Sequence, residues 1–213
     1  MTAPLAAIDT DSALRRDLDL CVLDVAKLQA WERLLFVGCG DGWIAEEAWR
    51  RVLRGYACGV DLSAALVARA TELRGVPGRL DFTTWDGSRL PSADRSFHRV
   101  FSTFALGRAS DLSGVLAEMQ RVLHPEGEVY LLELDRRSDS VSSPTIPPFA
   151  AALQRAGFHG AEELLRRDLG LDWSGHATSV IVRARLGARP TPAAAPPRRQ
   201  GGSPVHSGAR PAR

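Results

Sequence analysis

Three glycines spaced two residues apart, Gly38, Gly40 and Gly42, follow the apolar run Leu34-Leu35-Phe36-Val37. Four apolar residues in succession suit a strand buried on both faces. Glycine has no Cβ, so a chain leaving such a strand can turn sharply and approach a ligand closely. A helical pattern opens at Trp43 and Ile44, and the free N–H groups of its first turn would face whatever the loop holds. The stretch therefore reads as a nucleotide-cofactor loop. Its spacing is G-x-G-x-G, not the G-x-G-x-x-G of a dinucleotide fingerprint.

Other polar residues fall where the same chemistry would need them. Asp61 closes the run Tyr56 to Val60, 19 residues beyond Gly42. A carboxylate there either accepts both hydroxyls of a ribose or caps the helix beginning at Leu62. Asp86 can accept from an adenine amino group while the N–H of Gly87 meets a ring nitrogen; the competing reading is a plain D-G turn. Trp85, one residue earlier, is placed to contact adenine. Ser102-Thr103-Phe104 ends a fourth strand, beside the expected reacting group or simply packed into the core. Where an acceptor must lose a proton a general base is needed, and Thr103, Glu133 and Asp135 lie at strand ends that could supply it. No catalytic residue follows from these positions.

Several chemistries are excluded. The sequence has no G-x-S-x-G elbow and no H-E-x-x-H. Cys21, Cys39 and Cys58 show neither C-x-x-C spacing nor a histidine at metal-ligand intervals, so no metal is expected. An odd set of scattered thiols suits a reducing, cytoplasmic setting. No apolar stretch approaches the ~20 residues of a membrane span, and the first residues do not resemble a signal peptide.

The elements that must position these residues alternate. Leu14, Leu18, Val22, Val25 and Leu28 recur at helical steps, predicting an amphipathic helix from about Ala13 to Trp31. Strands are expected at 33–37, 56–60, 79–84, 97–101 and 128–134, with helices at 43–54, 63–73, 111–123 and 149–156, the second of them with Ser63 placed to cap it. Two strands, 160–168 and 177–185, then follow with only a turn around 172–175 between them. Alternation implies a parallel sheet covered on both faces; the ending implies an antiparallel hairpin. Residues 1–12 and 187–213 are expected to be disordered, flanking one domain over 13–186. The last 27 residues carry five arginines and no acid, which leaves a formal charge of −3 on residues 1–186 of a chain whose total is +2. Five charges make a modest tail, which argues against a nucleic-acid partner.

The segments VGCGDG (37–42), GVDLS (59–63), DFTTWDGSRLP (81–91), SFHRVFSTFAL (96–106), LAEMQRVLHPEGEVYLLEL (116–134) and LQRAGF (153–158) together resemble the type-11 group of class I S-adenosylmethionine (SAM) methyltransferases. That group includes quinone-biosynthesis and many small-molecule enzymes. The most specific segment is Glu118 to Gly127, which resembles E-x-x-R-V-L-x-P-G-G and feeds a helix into the fifth strand. The resemblance implies a Rossmann-like seven-stranded sheet, SAM as cofactor and a small-molecule acceptor, with no membrane. It puts SAM at Gly38, Gly40, Gly42, Asp61 and Asp86; Cys39, Leu62, Trp85, Gly87 and Ser102 complete the candidate set. The chain departs from the family in five places, one of them Glu126, which replaces the first glycine of the P-G-G turn. Phe36 stands where an acid helps to hold the amino acid end of SAM, and His98 where an acid often follows phenylalanine. Leu106-Gly107-Arg108 replaces L-H-H, and only residues 136–148 are available as a lid. Phe36 and the short lid also fit a second reading, a methyltransferase-like protein that acts through a protein partner without transferring methyl. A homodimer or a partner could equally close an open site on an active enzyme. An NAD-dependent oxidoreductase is the third reading, opposed by the early third glycine and the terminal hairpin.

Overall fold

The central strand β1 (Arg33–Val37) lies between two parallel neighbours, β2 (Tyr56–Asp61) and β4 (Phe97–Thr103). Both of its faces are covered, so four of its five residues are buried, which is why it reads as a continuous apolar run. A computed structural model describes residues 12–135, 148–169 and 178–186. β3 (Leu80–Thr84), β5 (Leu123–Asp135), β6 (Phe158–Asp168) and β7 (Thr178–Leu186) complete a seven-stranded sheet of order β3-β2-β1-β4-β5-β7-β6. The first five strands are parallel, and β7 runs antiparallel between β5 and β6. This is the parallel sheet with an antiparallel hairpin that the alternation predicts, in the Rossmann-like seven-stranded form that the resemblance implies. The hairpin is not a simple edge addition: the chain makes the outer strand first and returns to fill the gap, burying Val180, Ile181, Val182 and Ala184.

Helices cover both faces. α1 (Ser12–Ala26), α2 (Trp43–Arg51) and α3 (Ala64–Arg74) enclose one core with Leu34, Phe36 and Phe101. α4 (Leu112–Val122) and α5 (Pro148–Arg155) enclose the other with Leu35, Val37 and Val100. α1 corrects the C-terminal end of the expected helix. It includes Ser12 and stops at Ala26, because Lys27 adopts φ 48° and the chain turns back through Gln29 and Glu32. Leu28 still packs on the core, so apolar spacing outlasts the helix that it suggests. Ser63 caps α3 as expected, its Oγ accepting from Leu66 N at 3.3 Å. β5 begins at Leu123, before the His124-Pro125-Glu126-Gly127 stretch, and absorbs that stretch as a register shift against β4.

The Glu118–Arg121 pair explains why its segment is so specific. Glu118 Oε2 accepts from Leu90 N at 2.8 Å, and Arg121 donates to Glu118, Leu90 O, Ser92 O and Asp94. One turn of α4 thereby pins the 90–94 loop that leads into β4. The expected disorder of 1–12 and of 187–213, the loop at 136–148 and the turn at 172–175 lie outside the described residues, except that Ser12 opens α1 and Pro148 opens α5. Among the described residues, no helix is long and apolar enough to cross a membrane.

Candidate cofactor site

A cavity of about 590 Å³ opens at the C-terminal ends of β1 to β4, where open α/β sheets bind ligands; its size suits a nucleotide-sized molecule. Gly38, Cys39 and Gly40 from the loop, Asp61 and Leu62 after β2, and Trp85 and Gly87 after β3 share its wall. Three strand ends thus converge as the spacing requires. Gly38 takes φ +76°, and a Cβ there would stand 2.3 Å from the Cβ of Ala105, so only glycine lets the two chains meet. Gly40, at φ +56°, has open space where a Cβ would be. A side chain at that position would enter the cavity instead of the ligand.

Asp61 holds two backbone groups at once. Its Oδ1 accepts from Ser63 N and its Oδ2 from Gly40 N, each at 2.9 Å. It therefore ties the start of α3 to the glycine loop. Each oxygen retains a second lone pair for a ligand hydroxyl. Cys39 is buried, and burial beside Asp61 pushes its thiol well up, so it is a wall and no nucleophile.

Three expected residues sit off that wall. Gly42 caps α2, its missing side chain facing Phe82 and Ala70. Asp86 is exposed, and its Oδ1 accepts from Ser88 N at 2.9 Å and Ser88 Oγ at 2.6 Å. These bonds hold its carboxyl below the usual range. Ser102 is buried in β4, with its Oγ unpartnered among the described residues. Phe36 stacks on Phe101 at 4.9 Å, and Phe101 on Tyr130 at 5.3 Å, a ladder of rings across β1, β4 and β5. His98 lies at the opposite end of the sheet, its Nδ1 accepting from Arg33 N and its ring against Trp31 and His124.

The structure adds a wall that the sequence argument missed. Arg15, Arg16 and Asp19 of α1 line the cavity, together with Thr103 to Leu106 and Arg108 beyond β4. Arg15 lies over Phe104 at 5.7 Å and Arg16 over Trp43 at 5.3 Å. Phe104 itself is buried at φ +55°, a strained backbone position for a bulky residue. That turn presents Ala105 to Gly38. A signal for α1 did exist: Asp19 directly follows Leu18 of the apolar stripe, one turn after Arg15.

Two carboxyls near this wall hold protons unusually well. Burial pushes Asp19 up to about 6, partly offset by Arg15 and the Thr103 hydroxyl. Burial pushes Glu133 up to about 7, although Leu106 N donates to it at 2.9 Å, with Gly107 and Ala105 also contributing. Glu133 thus secures the backbone after β4 from behind the wall; the side chain of Asp135 lies outside the described residues. Both carboxyls have folded values above their unfolded ones. Their contribution to stability is complete at pH below the unfolded values and is lost as pH rises through about 6 and about 7. Glu133→Gln should therefore flatten the fall of urea-unfolding free energy between pH 4.5 and about pH 7. An unchanged slope would show that Glu133 is ionised in the folded protein.

The residues fit SAM: a glycine backbone bare of side chains, an acid with spare lone pairs, an indole wall and a charged far end. Residues 35–131 match the family Methyltransf_11, described as "Methyltransferase domain". Over 159 residues the chain is 28% identical to the ubiquinone/menaquinone biosynthesis C-methyltransferase UbiE of Dinoroseobacter shibae, covering 68% of this chain and 64% of that protein. Over 97 residues it is 37% identical to the malonyl-[acyl-carrier protein] O-methyltransferase of Halorhodospira halophila, covering 46% of this chain and 33% of that protein. The chain thus spans from one third to just under two thirds of the length of these curated relatives. The phosphoethanolamine N-methyltransferase 2 of Haemonchus contortus, solved in complex with S-adenosyl-L-methionine, superimposes with a TM-score of 0.67 at 15% identity, covering 80% of this chain and 52% of that one. At that identity the likeness is one of fold.

Proposed function

We propose, from the premise that residues 35–131 form a class I SAM-dependent methyltransferase domain of the type-11 group, that this chain transfers a methyl group to a small-molecule acceptor. Its cofactor is S-adenosyl-L-methionine, which supplies a methyl already activated by the positive sulfur. The observation that carries the reading is the single cavity joining Gly38, Gly40, Asp61, Trp85 and Gly87 from the ends of three adjacent strands.

In this reading Asp61 accepts from the ribose hydroxyls, while its bond from Gly40 keeps the loop open. Trp85 and Leu62 give adenine an apolar wall, and Gly87 leaves its backbone free to approach. Thr103 and Phe104 border the acceptor side. The chain's work is alignment and exclusion of water. A base is required only for an acceptor that must lose a proton. The relatives named above are C-, O- and N-methyltransferases, so the acceptor atom belongs to each protein's own site and not to the fold. A reducing, cytoplasmic setting fits the free thiols Cys21, Cys39 and Cys58.

The second reading, a partner-binding protein without transfer, draws on Phe36, whose place in the ring ladder leaves no acid at that position. Titration calorimetry of the full chain with SAM and S-adenosylhomocysteine separates the two. Micromolar binding is expected, weakened at least tenfold by Asp61→Ala, about 1.4 kcal/mol, and less by Asp61→Asn, which keeps one acceptor oxygen. No binding of either ligand at millimolar concentration by the folded protein would overturn the enzyme reading.

A further inference from the structure

Asp19 is 4% exposed, and its Oδ1 has no hydrogen-bond partner among the described residues. An orphaned carboxylate oxygen in a buried site is costly unless something meets it. Asp19 lines the cofactor cavity from α1, while Thr103, Arg15 and Asp41 are the groups around its carboxyl. We propose that Asp19 receives the α-ammonium of the cofactor's methionine half, taking over from the first helix the task that Phe36 cannot perform from β1.

This inference rests on the SAM reading above and deepens it. The strand order along the cavity is β3-β2-β1-β4. Trp85 and Gly87 follow β3 and Asp61 follows β2, so the nucleoside half belongs at that end. SAM is linear, running from adenine through ribose and sulfur to an amino acid. Its amino acid half must therefore extend past the glycine loop towards β4 and α1. The wall there carries both signs of charge: the Asp19 carboxyl, and the guanidinium groups of Arg15 and Arg16 from the same helix face. A zwitterion is the ligand group that such a wall fits. Phe36 reinforces the argument, since its ring is committed to Phe101 and offers no acceptor. Burial also accounts for the poise of the carboxyl: with Arg15 and the Thr103 hydroxyl only partly offsetting it, the carboxyl holds its proton up to about pH 6, and an arriving ammonium would release that proton.

The test compares two probes that differ only in the amino acid half. S-adenosylhomocysteine has it; 5′-methylthioadenosine keeps the nucleoside and the thioether and lacks the α-amino acid. On the full chain, Asp19→Asn should weaken S-adenosylhomocysteine at least tenfold and change 5′-methylthioadenosine by less than twofold. Asp61→Ala should weaken both. In the wild type, affinity for S-adenosylhomocysteine should fall as pH drops through about 6, with no such fall for 5′-methylthioadenosine. An equal loss for both probes in Asp19→Asn, or a loss for neither, overturns the proposal while the SAM reading stands. Failure of the wild type to bind either probe overturns both. Because the pH comparison uses only the wild type, a variant that folds poorly does not shield the proposal: a fall with both probes, or with neither, sinks it.

Discussion

Gly38→Ala is expected to remove cofactor binding and to destabilise the protein by about 2–5 kcal/mol. A left-handed conformation costs a non-glycine residue about 1–2 kcal/mol, and overpacking a tight contact adds about 1–3 kcal/mol. Both apply, since the new Cβ would meet the Ala105 Cβ at 2.3 Å with φ fixed at +76°. Either the loop or the turn after β4 must move, and both belong to the cavity wall. The double variant Gly38→Ala/Ala105→Gly separates the two costs. It should recover the clash but not the backbone strain, giving a midpoint in urea between the single variant and the wild type. A single variant as stable as the wild type would show that the contact is not tight.

Arg99→Met is expected to cost about 3–5 kcal/mol, the range for removing one partner of a buried charge network. Arg99 reaches Glu32 at 3.0 Å and also pairs with Glu128; those two carboxylates are 3% and 8% exposed. Glu128 is further held by Arg185 at 2.8 Å and by the Tyr130 hydroxyl at 2.7 Å. Glu32 depends more on Arg99, so Arg99→Met/Glu32→Gln should regain part of the loss. The network ties β4, β5 and β7 to the residue just before β1, at the end of the sheet remote from the cavity. Folded Arg99→Met should therefore bind S-adenosylhomocysteine like the wild type, even as its urea midpoint drops. A loss of affinity without a loss of stability would contradict this division of labour.

The strand-end part of the candidate site was legible because its signals are local. Gly38, Gly40 and Asp61 announce themselves by spacing from an apolar strand, and Ser63 by its position before a helix. The wall supplied by α1 left only the faint trace of Asp19 beside the apolar stripe. Helical periodicity identifies the apolar stripe of α1 but treats its polar residues as solvated, and nothing in the pattern brings Asp19 towards Thr103, a contact made across more than eighty residues of chain. The left-handed backbone of Phe104 is equally silent, since phenylalanine is no marker for positive φ. Strand number and the closing hairpin could be read from the order of elements. The end of α1 could not, because Leu28 keeps the apolar rhythm after Lys27 has broken the helix.

The placement of β7 between β5 and β6 also bears on how the chain is made. β5 pairs with β7 from Glu128↔Arg185 to Asp135↔Thr178, and β6 pairs with β7 along its length. During synthesis the ribosome releases β5 and β6 before their shared neighbour exists. Until residue 186 emerges, β5 carries a row of unsatisfied N–H and C=O groups beside Val129, Leu131 and Leu132, an open template for another chain. At about 5–20 residues per second, that interval lasts a few seconds. A nascent chain halted before Thr178 should for this reason aggregate or recruit a chaperone where the finished one does neither.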